Sequence, residues 1–215
     1  FASHANRLLI TKSNRLSRVH RAVPMDVICV KRFGAGGKVS GIEMFVGLFT
    51  SNVYTNSAGF VPVLRTKIDR IMRRTGLRSG SHDGKRLLSI LENLPRDELF
   101  QARDEELEKI SVGILHLQDR HRTAVFMRID EFGRFVSVLV FVPRDRFDTD
   151  LRLTIRRILE ENLDAEQTGY YTQVTDAPLA RLHVLLKARG KKGTLPSFDL
   201  EAIERQIAEA ARAWP

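Results

Sequence analysis

The run from Phe135 to Val142, FVSVLVFV, limits what this chain can fold into more than any other stretch. Nearly every residue in it is β-branched or aromatic, a composition that suits an extended strand. Gly133 supplies a turn before it. Pro143 stops it, because proline has no N–H to give to a strand ladder. With the preceding stretch from Thr123 to Asp130, the run predicts a β-hairpin. Alternate side chains leave a strand on opposite faces. Phe135, Ser137, Leu139 and Phe141 therefore share one face, and Val136, Val138, Val140 and Val142 the other. Both sets are almost wholly apolar, so both faces must be covered, one by helices and one by a neighbouring domain or subunit.

The segments around the hairpin complete an α+β pattern. Leu8-Leu9-Ile10 and Asp26 to Lys31 read as short strands. Phe33 to Lys38 is a glycine-rich turn, and Val39 to Phe49 returns as a third strand. Pro62 suits the first turn of a helix, whose apolar stripe is Leu64, Ile68, Ile71 and Met72. Gly76 ends that helix. Ser81 caps the next one, with Leu87, Leu88, Leu91 and Leu94 on its buried side, and Pro95 closes it. Leu99-Phe100-Gln101 reads as a short strand. Leu107, Ile110, Ile114 and Leu117 form a helical stripe behind acidic Asp104, Glu105 and Glu106. Asp148 or Thr149 caps a helix with Leu151, Ile155, Ile158, Leu159 and Leu163. Gly169 to Thr175 and Leu182 to Ala188 are strands, and Gly190 to Gly193 is a link. Asp199 caps a last helix with Leu200, Ile203, Ile207 and Trp214. In the second half, strand, helix, strand, strand, helix, strand is the ferredoxin-like order.

Charge divides the chain at the same place. Residues 1–100 hold 17 Lys and Arg against 7 Asp and Glu, and the remainder 18 against 19. This asymmetry supports two domains, 1–97 and 98–215. The basic half admits either nucleic acid or an acidic surface elsewhere in a larger protein, and the second reading is preferred. A chain that starts at Phe1 and stops at Pro215 reads as part of a longer polypeptide. The single cysteine, Cys29, lies among Val27, Ile28 and Val30 and reads as a buried thiol. It allows no internal disulfide, in keeping with a cytoplasmic protein. No apolar run approaches the ~20 residues of a membrane-spanning helix.

Candidate chemistry is sparse. Gly34-Ala35-Gly36-Gly37 is the one glycine cluster fit to approach a pyrophosphate. It has Val39 where a dinucleotide turn needs its third glycine, and a strand follows it, so a hairpin turn is the better reading. No pair of histidines has metal-ligand spacing, and His116 reads as a partly buried, hydrogen-bonded side chain. No nucleophile elbow occurs. Ser81, His82 and Lys85 stand at a helix amino end, where they either cap it or hold a carboxylate or phosphate. Arg144 and Arg146 either fork onto the carboxylate of an amino acid or pair with Asp145, Asp148 or Asp150.

Five segments carry a resemblance. They are the run Asp130 to Phe147 and, before it, Gly47-Leu48-Phe49-Thr50-Ser51, Pro62 to Lys67, Ser81 to Lys85 and Pro95 to Gln101. In content and order, across residues 46 to 190, they resemble the non-catalytic amino-terminal part of the large bacterial NAD-dependent glutamate dehydrogenases. The resemblance implies a ferredoxin-like, ACT-like antiparallel sheet with helices on one face, preceded by a smaller mixed α+β domain. It also implies a regulatory and assembly region, with other domains of the same polypeptide as partners, a homo-oligomeric parent and an amino-acid effector. Arg144, Arg146, Ser81, His82 and Lys85 are the candidate effector contacts. The parent would oxidise L-glutamate to 2-oxoglutarate and ammonia with NAD. The fragment itself would hold no catalytic residue, cofactor or metal. The alternatives are a stand-alone RNA-binding module or a purely structural oligomerisation domain. Residues 131–138 match the RNP1 pattern of RNA-binding sheets only at Phe135 and Val136, which weighs against the first.

Overall fold

The structure, a computed structural model, describes residues 6–19, 23–117, 122–189 and 195–213. Trp214 and the Gly190 to Gly193 link lie outside them, as do His4, His20 and His121. Strands β1 (Leu8–Leu16), β2 (Pro24–Phe33) and β3 (Val39–Gly47) form an antiparallel meander. The glycine cluster is its hairpin turn, with Gly36 and Gly37 at φ 77° and 74°. Five helices follow: α1 (Ser51–Thr55), α2 (Pro62–Arg74), α3 (His82–Asn93), α4 (Arg96–Gln101) and α5 (Asp104–Leu117). The second sheet comprises β4 (Ala124–Ile129), β5 (Phe135–Pro143), β6 (Ala165–Gln173) and β7 (Leu179–Ala188), in the order β4-β5-β7-β6. Helix α6 (Thr149–Leu163) joins β5 to β6, and α7 (Leu200–Ala213) ends the described chain.

The ferredoxin-like class holds, but one element differs from the sequence expectation. Leu99-Phe100-Gln101 is the end of α4, not a strand. Pro95 starts the helix, and Asp97 and Glu98 occupy its first turn, where carboxylates suit the helix dipole. Leu99 and Phe100 are both buried because α4 lies between two layers, and so short an apolar pair shows no period. The observed order β4-β5-α6-β6-β7-α7 becomes strand, helix, strand, strand, helix, strand when read from β5 and closed from α7 onto β4. The missing opening strand is thus supplied by β4, as a circular permutation of the expected order.

Both faces of the second sheet are covered. Val136, Val138, Val140 and Val142 join Val184 and Leu186 of β7 with Leu151, Ile155, Ile203 and Ile207 of α6 and α7 in one apolar cluster. On the opposite face, Leu139 and Phe141 join Leu64, Leu87, Leu91, Leu107 and Ile114 of α2, α3 and α5 in another. The covering neighbour is therefore the helical part of this same chain. Two side chains depart from the expected stripes. Leu88 is exposed and Ile90 takes the buried place, because the stripe of α3 turns with the helical period. His116 is exposed, on the outer side of α5.

Gly84 admits α3 against the loop before it. A Cβ there would stand 2.0 Å from the Arg78 carbonyl oxygen. Alanine normally stabilises a helix by ~1 kcal/mol over glycine. Here Gly84→Ala is expected instead to lose about 1–3 kcal/mol in urea denaturation, since backbone must move. A gain in stability would contradict the close approach.

Candidate functional site

The five residues singled out in the sequence occupy two separate surfaces. Ser81 is the amino cap of α3: its Oγ accepts from Gly84 N at 3.1 Å and donates to the Arg78 carbonyl at 2.7 Å. His82 and Lys85 are exposed beside it. Arg144 and Arg146 lie in the short turn after β5. Arg144 Nη1 donates to the Thr175 carbonyl at 3.1 Å and lies 3.8 Å from the Asp176 carboxylate. Arg146 Nε lies 3.7 Å from Asp145. The structure does not bring the two groups together, and neither lines the cavity described next.

That cavity, of about 410 Å³, opens between α4 and the face of the second sheet turned away from α6 and α7. Its floor is built on alternation. Arg181, His183 and Leu185 project from one face of β7, and their partners Gln173, Tyr171 and Gly169 on β6 line the same space. The Tyr171 ring stacks on that of His183, with centroids 6.0 Å apart. Lys12 of β1, Tyr54 of α1 and Asp97 of α4 form the opposite wall.

A charged pair closes the inner end. The Arg128 guanidinium donates from Nε and Nη2 to the two Glu98 carboxylate oxygens, at 2.9 and 2.7 Å. Arg128 is 7% exposed and Glu98 2%. Burial pushes the Glu98 carboxyl up, but the adjacent Arg128 charge and its hydrogen bonds outweigh this and bring it down to about 2. Ser137 faces the same carboxylate and lies 2.8 Å from His183 Nε2. Burial pushes the His183 imidazole below its ordinary value, against the pull of Glu98 and Asp97.

Further contacts fix α4 and the two sheets. Lys67 Nζ donates to the carbonyls of Leu99, Phe100 and Ala102, satisfying the carboxyl end of α4. Burial pushes this ammonium down to about 8. Lys12 pairs with Asp26 of β2 and, at 3.0 Å, with Asp97. Tyr54 donates to Asp97 at 3.2 Å. Arg134 Nη2 reaches across the sheets to the Lys12 carbonyl at 3.0 Å.

Glu98, Arg128, Ser137, Arg181 and His183 were not singled out from the sequence. A faint signal existed. Ser137 interrupts an apolar strand, and His183 stands between Leu182 and Val184. Nothing in the sequence places these groups against α4.

The glycine turn offers no cradle for NAD: it joins two antiparallel strands, and no helix amino end follows it. Among the described residues no group of His, Cys, Asp and Glu is arranged to hold a metal. Nor is any helix there long and apolar enough to cross a membrane.

An ACT-like α+β sandwich resting on a helical motif is the class of protein that this fold defines. Residues 124–215 match the family described as glutamate dehydrogenase, ACT2 domain, and residues 61–120 match glutamate dehydrogenase, helical motif 1. Over 203 residues the chain is 40% identical to the NAD-specific glutamate dehydrogenase of Halomonas elongata, covering 94% of this chain and 12% of that protein. Over 207 residues it is 36% identical to the enzyme of the same name in Pseudomonas aeruginosa, covering 96% of this chain and 13% of that protein. A Mycobacterium tuberculosis protein of that name is 26% identical over 197 residues, 87% of this chain and 12% of the relative. The chain belongs to the NAD-specific glutamate dehydrogenase family, of which it spans about an eighth of the length.

Proposed function

We propose that this chain is a non-catalytic regulatory and assembly region of a large dehydrogenase that oxidises L-glutamate to 2-oxoglutarate and ammonia with NAD. The observation that carries the assembly part is β3. It is the edge of the first sheet, yet Ile42, Met44, Phe45 and Val46 are 41%, 64%, 58% and 53% exposed. Consecutive residues alternate in direction, so both faces of this strand are apolar and open. Exposed apolar surface on an unpaired edge favours a partner. The remaining seven-eighths of such a polypeptide, or a second copy of it, supplies one.

A regulatory role requires a ligand bound with different affinity in two states. The Arg144 and Arg146 turn, and the α3 amino end with Ser81, His82 and Lys85, remain proposed contacts for an amino-acid effector. RNA binding is less well supported. The sheet face that would present stacking aromatics is occupied by α3 and α5, with Leu139 and Phe141 in their apolar cluster.

The test uses the parent enzyme. Met44→Glu with Phe45→Glu is expected to reduce the mass of the assembly in light scattering while leaving the circular dichroism of this chain unchanged. Assembly identical to wild type would remove the basis for the proposal. The isolated chain, given glutamate and NAD, is expected to produce no NADH. Turnover that is abolished by a mutation within the chain would overturn the non-catalytic reading.

A further inference from the structure

The cavity beside α4 contains one buried nitrogen that the fold leaves without a hydrogen-bond partner and one cation without a carboxylate. His183 is 3% exposed, and its Nδ1 has no hydrogen-bond partner among the described residues. His183 Nε2 is engaged by Ser137 Oγ, 2.8 Å away. Nδ1 is therefore the ring nitrogen left to meet a ligand in the cavity. A buried polar atom without a partner is uncommon and calls for an explanation.

The second group is Arg181, two residues earlier on the same face of β7. It is half-buried. It donates from Nη1 to the Asn93 carbonyl at 2.8 Å and forms no salt bridge among the described residues. Burial with no compensating carboxylate brings the guanidinium down to about 10. Such a cation gains most from an acid group brought to it. Alternate strand residues are about 7 Å apart. The long arginine side chain and a hydrogen bond at each end bring that span within reach of an acid group and its α-substituent. Leu185 and Phe135 line the same cavity and offer apolar surface.

We propose that this cavity binds a small α-substituted carboxylate. Its acid group lies on Arg181, its α-hydroxyl or α-ammonium donates to His183 Nδ1, and its apolar tail turns toward Leu185 and Phe135. The site is separate from the Arg144 and Arg146 turn. It rests on the effector reading only for its consequence in the parent enzyme, because binding is measured without catalysis.

Calorimetric titration of the chain with valerate, L-2-hydroxyvalerate and L-norvaline holds the tail constant and varies the α-substituent. The hydroxy acid, the amino acid or both are expected to bind saturably and at least about tenfold more tightly than valerate. The His183 Nδ1 resonance should shift on saturation. Which of the two binds better identifies the donor. Arg181→Met is expected to weaken binding at least about tenfold and to remove the ligand-induced rise in Tm, over and above any loss of unliganded Tm from its hydrogen bond to Asn93. An arginine with only a structural role would lower the unliganded Tm and leave the affinity unchanged. Gly169→Leu keeps every charge and fills the cavity from β6, where the nearest atom to a new Cβ is Leu185 Cδ1 at 3.9 Å. It is expected to abolish binding. No saturable binding by any of the three acids, equal affinity for all three, or undiminished binding in both variants overturns the proposal.

Discussion

Glu98→Ala is expected to destabilise the chain by about 3–5 kcal/mol, and Arg128→Ala by a similar amount. Each leaves a buried charge without its partner in a layer where neither residue is more than 7% exposed. Replacing both, as Glu98→Leu with Arg128→Met, is expected to cost far less, because no orphan charge remains. The pair also predicts a pH dependence. The folded Glu98 carboxyl titrates at about 2, below its ordinary 4.5. Its contribution is therefore complete above about pH 4.5 and is lost as pH falls toward 2. At ~1.4 kcal/mol per tenfold change in proton affinity, the contribution is on the order of 3 kcal/mol. Urea denaturation at neutral pH and at several acidic values would measure it. Glu98→Gln removes this part of the profile, and a variant profile parallel to wild type would refute the assignment.

Phe141→Ala should also cost about 3–5 kcal/mol, a large part of a typical ~5–15 kcal/mol domain stability. The ring is 8% exposed and meets Phe126 edge-on, with centroids 5.9 Å apart. It belongs to the cluster that includes Leu64, Leu87 and Leu107, so its loss should weaken the helices as well as the sheet. A single cooperative unfolding transition, shifted as a whole, is the expected outcome. Two transitions with only one displaced would instead favour the proposed division into 1–97 and 98–215. A variant as stable as wild type would show that Phe141 lies outside the core.

The lesson of these two residues differs. Phe141 was legible because a strand has a period of two and FVSVLVFV is apolar in both phases, which demands cover on both faces. The caps at Ser81 and Asp148, the glycine hairpin and the stripes of α2, α5 and α6 were legible for the same kind of reason. Each depends on residues within a few positions of one another, and local geometry there leaves few alternatives. Leu99-Phe100 was not, because so short an apolar pair has no period, and its helical state follows from burial on both sides of α4.

Glu98 and Arg128 are 30 residues apart, Ser137 and His183 are 46, and Arg134 reaches a carbonyl 122 positions away. Such pairings have no signature in a single sequence, since a carboxylate on a short helix looks like any solvated charge. The sequence by itself determined the elements, the α+β class and the need for a cover on the hairpin's second face. Only the tertiary structure decided that α3 and α5 of this chain supply that cover. It also decided that α4, held at its carboxyl end by Lys67, carries Glu98 and Asp97 to the edge of the cavity. Hydrophobic periodicity is a local property of the chain, whereas a site made from β1, α1, α4 and the four strands of the second sheet exists only once packing has brought them together.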